Sequence, residues 1–322
     1  MKAAIVYNAG EAPKYSEVPE PIPANEKEVL VTMKAVAIAG HEKSVASGKH
    51  YSAKPLLKPA IPGTMGVGVL KDGTRIFGVG INGVLAEKVL MNIAQMVKLP
   101  DGIDDITAAA LPNAVIGSAL ALLFRAKFKP GEVVLINGAT GFTGTLAVQL
   151  ARHYGAKKII ATGRNTEQLQ LLLSMGADEI ISLKDSKETI IENIKATAQK
   201  TPVDIVLDYT WGQPAECILT AFSGKGGFTN HLRYVSIGAT TGNAMQLSAS
   251  LLRSSNIEIM GSGLGSLPKE AFQKLFSEVL PEVYGLVVAG KLKIETVTAN
   301  LKDIETTFQQ EVPPGKRLVI VI

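Results

Sequence analysis

The chain has 322 residues, 46% apolar and 19% charged, the composition of a folded soluble protein with material for two domains. Its formal charge of +4 is dispersed, without the basic stripe that nucleic-acid binding normally requires. One cysteine, Cys217, excludes an intrachain disulfide framework and any zinc site built from several thiolates.

Residues 1–100 hold short apolar segments, AAIVY, EVLVTMKAVAI, GVGVL, TRIFGVG and LAEKVLM, separated by glycine and proline. Such alternation predicts a mainly β, partly barrel-like domain. The opening MKAAIVYNAG turns polar at Asn8, too early for the core of a signal peptide, and a cytoplasmic protein is expected. Residues 106–124 carry no charge over nearly the length of a membrane span, but Pro112, Asn113, Gly117 and Ser118 interrupt them. A buried helix is expected there.

From residue 133 the pattern becomes strand, helix, strand. VVLIN (133–137), KIIATG (158–163), EIISL (179–183), DIVLDY (204–209), RYVSIG (233–238) and NIEIMGSG (256–263) read as strands. Helices are expected at 142–153, 165–174, 187–199, 213–222 and near 245–252. This predicts a doubly wound, parallel six-stranded Rossmann sheet in an α/β protein. A helix around 268–290, a helical piece near 302–310 and the final strand RLVIVI complete the chain.

The turn NGATGFTG joins the first of these strands to its helix. A helix amino terminus attracts phosphate, and a pyrophosphate approaches closely only where side chains are absent or small. Gly138, Ala139, Thr140, Gly141, Phe142, Thr143 and Gly144 are therefore the expected dinucleotide cradle; a ligand-free tight turn is the alternative. The second strand ends in Gly163, Arg164 and Asn165, without the carboxylate that would bind the ribose 2′-hydroxyl of NAD. Arg164 suits a 2′-phosphate, which favours NADPH, unless it is a solvated surface arginine. YGAKK (154–158) matches a Y-x-x-x-K catalytic pattern but lies at the far end of the first crossover helix, away from the expected ligand.

The whole chain resembles the medium-chain dehydrogenase/reductase superfamily, in its zinc-free quinone oxidoreductase branch. The resemblance is carried by AVAIAGHEKSVASGKHY (35–51), IPGTMGVGVL (61–70), KPGEVVLINGATGFTGTLAVQLARHYGAK, GADEII, VDIVLDY and PPGKRLVIVI. It implies a split GroES-like catalytic domain at 1–114 and 263–322, a dinucleotide-binding domain at 115–262, and a homodimer through the sixth Rossmann strand. Asp208, Ser236, Ile237 and Gly238 resemble positions that meet the nicotinamide ribose and ring. Gly263, in GSGLGS, resembles one near the carboxamide, or else belongs to a hinge. At the family's catalytic metal positions stand Ala39, Thr64, Met65 and Asn113, which cannot hold zinc, and no metal is expected. The segment at 70–85 is shorter than in the family.

Without a metal, a hydroxyl or cationic donor must polarise the substrate oxygen. His41, His50 and Tyr51 are the candidate catalytic residues, with Lys43 and Ser44 beside them; packing and simple exposure are the alternatives for Tyr51 and His50. The expected activity is zinc-independent, NADPH-dependent hydride transfer to a quinone or α,β-unsaturated carbonyl compound. The alternative is a catalytically weak NADPH-binding redox sensor or interaction protein on the same fold. The partner is a small molecule, with neither nucleic acid nor membrane expected.

Overall fold

In EVLVTMKAVAI, Val31, Met33 and Ala35 are buried while Thr32 and Lys34 are exposed, the two-residue period of a strand with one covered face. A register shift between Met33 and Ala35 then re-aims the strand, and Val36 and Ile38 are buried as well. The computed structural model describes residues 1–48, 50, 53, 58–224 and 227–322. They form two units, Met1–Asn113 with Phe276–Ile322, and Ala114–Leu275.

The first unit contains β1 (Lys2–Ile5), β2 (Lys14–Glu17), β3 (Glu28–Ile38), helix α1 (Gly40–Ala46), β4 (Met65–Val69), β5 (Arg75–Gly80) and β6 (Lys88–Lys98). β3 pairs with both β4 and β6, so these strands close on themselves as a small barrel. Its interior is narrow. A Cβ on Gly66 would lie 2.6 Å from Met33 Cε, and one on Gly78 2.6 Å from Met91 Sδ. Glycine on β4 and β5 thus makes room for the large side chains of β3 and β6.

Helix α2 (Asp105–Val115) continues into a π-helical segment, Ile116–Arg125. Pro112 removes the N–H that would bond the Ala108 carbonyl one turn earlier. The buried Tyr284 hydroxyl donates to that carbonyl instead, at 3.2 Å. Asp105–Arg125 is long and apolar enough to cross a membrane by length and composition, but about two thirds of it is buried within the protein.

The second unit alternates β7 (Val133–Asn137), α3 (Phe142–His153), β8 (Lys158–Gly163), α4 (Thr166–Ser174), β9 (Glu179–Ser182), α5 (Lys187–Lys200), β10 (Ile205–Asp208), α6 (Gly212–Ala221), β11 (Leu232–Ser236), α7 (Ala249–Ser254) and β12 (Ile257–Gly261). The strands are parallel, in the order β12-β11-β10-β7-β8-β9, which reverses at β7. Every residue of β7 is buried. Val134 and Ile136 join a cluster with Ala147 and Val148 of α3, whereas Val133 and Leu135 join one with Ile190 and Ile218 of α5 and α6. Two covered faces are what the unbroken apolar run VVLIN records.

The helix expected at 245–252 begins later, at Ala249, where the Ser248 hydroxyl caps it by accepting from Leu251 N at 3.2 Å. The helix expected at 268–290 comprises α8 (Lys269–Lys274), a π-helical turn at Leu275–Val279, and α9 (Leu280–Val288). Pro281, without an N–H, explains the widened turn before it. Strand β13 (Glu295–Asn300), which the sequence did not announce, runs parallel to the last strand, β14 (Lys316–Val321); helix α10 (Ile304–Thr307) lies between them in the chain. β14 pairs antiparallel with β3, and so the carboxyl terminus completes the amino-terminal sheet.

Candidate functional site

The glycines of the β7–α3 turn have separable causes. Gly138 has φ +81°, in the left-handed region, and a Cβ there would stand 2.7 Å from Thr210 Cγ2. A Cβ on Gly144 would lie 2.6 Å from Ala139 Cα, and one on Gly163 2.4 Å from Thr140 Cγ2. Gly141 differs. Its φ is −80°, open to any residue, and a Cβ would meet nothing nearer than the Gly138 oxygen at 3.7 Å. No side chain caps α3 there. Packing therefore requires Gly138 and Gly144 in the turn and Gly163 at the end of β8, whereas Gly141 leaves the helix amino terminus open to a phosphate.

Beneath the turn lies a buried polar network. Asn137 ends β7 and donates to Asp208 Oδ1 at 2.8 Å and to Thr210 Oγ1 at 2.7 Å, while accepting from Thr162 Oγ1 at 2.6 Å. Asp208 is fully buried. Its carboxylate also accepts from the Thr210 amide and hydroxyl, the Trp211 amide and the Tyr234 hydroxyl, at 2.8–3.1 Å. One carboxylate thus ties β7, β10, β11 and the start of α6 together at the reversal of strand order. It also holds Trp211 at φ +58°, a left-handed backbone rare for tryptophan. Asp208 faces these internal donors, so any service to a ligand passes through the loops it shapes.

Ile237 and Gly238 donate their amides to the Asp208 carbonyl at 2.8 and 3.1 Å, next to half-buried Ser236. A Cβ on Gly238 would stand 2.6 Å from the Tyr209 oxygen. Gly263 opens a tight turn in which its amide donates to Ser266 Oγ at 2.8 Å. At the end of β8, Asn165 caps α4 by accepting from Gln168 N, and Arg164 is exposed. Arg164 lines a cavity of about 420 Å³ with Leu183, Lys184, Asp185, Pro214 and Thr241. Lys184 was missed in the sequence because it follows a strand with no motif of its own. Asn137 and Thr162 left a trace, as polar residues inside otherwise apolar strands.

Of YGAKK, Tyr154 forms the carboxyl cap of α3 and Lys158 pairs with Glu179 at 2.7 Å. Lys158 and Glu179 are the first residues of β8 and β9, so the pair joins the amino-terminal ends of two strands.

In the first unit, the stretch that carries the candidate donors contains α1, with His41 on it. Glu42, 7% exposed, accepts from the Ala39 amide at 2.9 Å and so caps its own helix. Its other oxygen lies 3.6 Å from His41 Nδ1. Burial works to raise the Glu42 carboxyl, but His41, its own backbone and Arg317 outweigh this and hold it low. Glu42 raises His41 in turn, against the opposing effect of burial. Arg317, on β14, is 7% exposed; burial lowers it to about 10 while Glu42 supports its charge. The rings of His41 and His50 meet edge to face, with centroids 4.6 Å apart, and burial followed by the charge of His41 lowers His50. Tyr51 lies outside the described residues. Lys43 Nζ donates to the Gln310 carbonyl at 2.7 Å, and the Ser44 carbonyl accepts the His50 amide at 3.1 Å. Glu42 and Arg317 were missed; the trace of Arg317 is its position in the apolar run RLVIVI.

A family model described as zinc-binding dehydrogenase matches residues 143–281. Over 271 residues the chain is 30% identical to the quinone oxidoreductase of Sus scrofa, covering 81% of this chain and 78% of that protein. It is 28% identical, over all of both chains, to a probable NADPH-dependent quinone reductase of Emericella nidulans. The quinone oxidoreductase of Thermus thermophilus, whose structures include a complex with NADPH, is 28% identical with a TM-score of 0.81 over all of both chains.

Proposed function

This chain belongs to the quinone oxidoreductase-like branch of the medium-chain dehydrogenase/reductase superfamily, and from that premise we propose that it reduces a quinone or an α,β-unsaturated carbonyl compound with NADPH, without zinc. The observation that carries the reading is the open amino terminus of α3 at Gly141, placed where the strand order reverses. Gly138 to Gly144 would hold the pyrophosphate. Arg164, joined by Lys184 in the same cavity, would hold the 2′-phosphate, with the Asp185 carboxylate there offsetting part of their charge. Ser236 to Gly238 and Gly263 would line the nicotinamide end, on loops that Asp208 shapes. Bound NADPH supplies the hydride.

The unit Ala114–Leu275 is assigned to the cofactor, and the unit carrying α1 to the substrate. Ala39, Thr64, Met65 and Asn113 offer a zinc ion no thiolate, imidazole or carboxylate, and among the described residues no group of three or more His, Cys, Asp or Glu could hold a metal. Proton donation is assigned to His41, His50 or Tyr51. The matching test is NADPH oxidation over a panel of quinones and enones, with and without chelator. Activity lost to the chelator and restored by zinc would overturn the metal-free chemistry; NADPH binding without turnover on any compound would favour a sensor.

We assign a homodimer through β12, the edge strand of the parallel sheet, whose Ile257, Ile259 and Met260 remain partly exposed. An unpaired apolar edge pairs readily with its symmetry mate. Light scattering that returns a monomer mass at micromolar concentration would sink this assignment.

A further inference from the structure

β12 is the edge of the parallel sheet, and its open backbone groups define what can pair with it. Leu232 N bonds Asn256 O at 2.9 Å and Ser262 N bonds Ser236 O at 2.8 Å, so the even-numbered residues of this stretch serve β11. Ile257, Ile259 and Gly261 therefore turn their amides and carbonyls to the open side. Two of these groups are engaged within the chain: the Ile257 amide donates to Ser255 O at 3.0 Å, and the Gly261 carbonyl accepts from Arg125 Nε at 2.6 Å. The Ile257 carbonyl, the Ile259 amide and carbonyl, and the Gly261 amide have no partner among the described residues.

A second copy answers all of these groups in one register. With the strands antiparallel about a two-fold axis at Ile259, this residue faces Ile259 of the partner subunit and exchanges two hydrogen bonds with it. The Gly261 amide of each copy then reaches the partner's Ile257 carbonyl, and no open group is left over. Moving the axis to Glu258 would set two glutamates directly opposite each other. Moving it to Met260 would aim the Ile259 amide at the carbonyl that Arg125 already holds. In the register centred on Ile259, Glu258, which pairs with its own His231 at 3.1 Å, faces the partner's Met260.

Beyond the strand, the same register sets Asn256 opposite Ser262 of the partner subunit, and so brings the turn at 263–266 beside the partner's segments at 222–224 and 227–230. Those segments are tied to the start of β12: the Asn256 amide donates to Thr229 Oγ1 at 2.7 Å, and the Gly224 amide to Ser255 Oγ at 2.9 Å. They carry Phe228, which is fully exposed and lines, with Phe222, Leu232 and Ile257, a cavity of about 360 Å³. Leu264, in the turn, is 70% exposed. We propose that the chain pairs with a second copy through β12 in this register, and that the partner's Phe228 packs on Leu264, holding the turn that carries Gly263 and so strengthening NADPH binding. The proposal rests on the cofactor reading and adds a partner residue to that site. Two apolar side chains that water surrounds in the single chain are covered together in the dimer. A turn already held by an outside contact costs a ligand less ordering. By reciprocity NADPH tightens the dimer by the same factor.

Cross-linking tests the register. A hydrogen-bonded antiparallel pair holds its Cα atoms about 5.5 Å apart, within reach of a disulfide. With the native thiol, Cys217, buried, Ile259→Cys should yield a covalent dimer under mild oxidation and Glu258→Cys should not. The reverse pattern, or no cross-link in either variant, overturns the register. Calorimetric titration with NADPH and light scattering of the same samples test the coupling. Phe228→Ser changes an exposed side chain and should fold as the wild type does. It should weaken NADPH by about 5- to 10-fold and move dimer formation to higher protein concentration. Leu264→Ser should do the same, and the double variant should lose no more than either alone, since both remove one contact. Unchanged affinity in both single variants, or losses that add in full, overturn the contact while leaving the cofactor reading in place. Cross-linking by Ile259→Cys together with a wild type that binds no NADPH overturns the cofactor reading and the coupling, while the β12 pairing stands.

Discussion

Asp208 and Glu42 are carboxylates with 0% and 7% exposure, one in each unit, in unlike surroundings. The hydrogen-bond donors that meet Asp208 are neutral: an asparagine amide, two backbone amides and two hydroxyls. Glu42 accepts one backbone amide and otherwise faces an imidazole and a guanidinium. Neutral donors fix geometry, because each bond is directional and breaking it strands a buried polar group. Ionisable neighbours make a cluster whose charge can change during a reaction. Asp208 thus holds the loops at the ends of β7, β10 and β11 still, whereas Glu42 caps α1 inside a charged cluster.

The largest expected effect strikes the first carboxylate. Asp208→Ala strands the donors of Asn137, Thr210, Trp211 and Tyr234 and should cost about 3–5 kcal/mol of stability. Urea unfolding measures it; a loss below about 1 kcal/mol would show that the network does not hold the strand ends together.

Arg164→Glu should weaken NADPH relative to NADH by about 1.4–2.8 kcal/mol, roughly 10- to 100-fold, without changing stability. Calorimetric titration with both cofactors checks this. An unchanged ratio would move the 2′-phosphate away from the Arg164–Lys184 cavity.

Two alanine substitutions separate fold from ligand on one turn. Gly144→Ala forces a Cβ against Ala139 and should cost about 1–3 kcal/mol of stability. Gly141→Ala should leave stability within about 0.5 kcal/mol yet lower affinity for NADPH. Equal affinity in Gly141→Ala would remove the observation on which the cofactor reading rests.

The smallest effect sharpens the second carboxylate. Glu42→Gln should cost about 1 kcal/mol at neutral pH. The folded state holds Glu42 below its ordinary 4.5, so its contribution is present above that value and is lost as pH falls through the depressed one. His41 is raised above 6.5, so its share is complete below 6.5 and is lost as pH rises through the raised value. The stability difference between wild type and Glu42→Gln should therefore peak between 4.5 and 6.5 and shrink on both sides. A difference flat with pH would mean that Glu42 acts only as a helix cap.

The six parallel strands and the glycine turn were legible in the sequence for local reasons. Each strand is a short apolar run beside its own crossover helix, and the glycine turn occupies eight consecutive residues, NGATGFTG. Strand β13 was not legible, because ETVTAN is an edge strand with exposed and half-buried residues and no apolar run. Helix α1 was hidden by a glycine at its first position and by an acidic residue that turned out to be buried.

By itself the sequence determined the class of fold and the place of the glycine turn after the first parallel strand, since these depend on composition, period and adjacent residues. Tertiary structure alone decided that a Cβ would be accommodated at Gly141 but would clash at Gly138, Gly144 and Gly163. It alone decided that Asp208 faces inward and that the buried Arg317 acts by its charge on Glu42. Whether a charged side chain is solvated, stranded or paired depends on what the rest of the chain brings to it, and no local pattern encodes a neighbour hundreds of residues away.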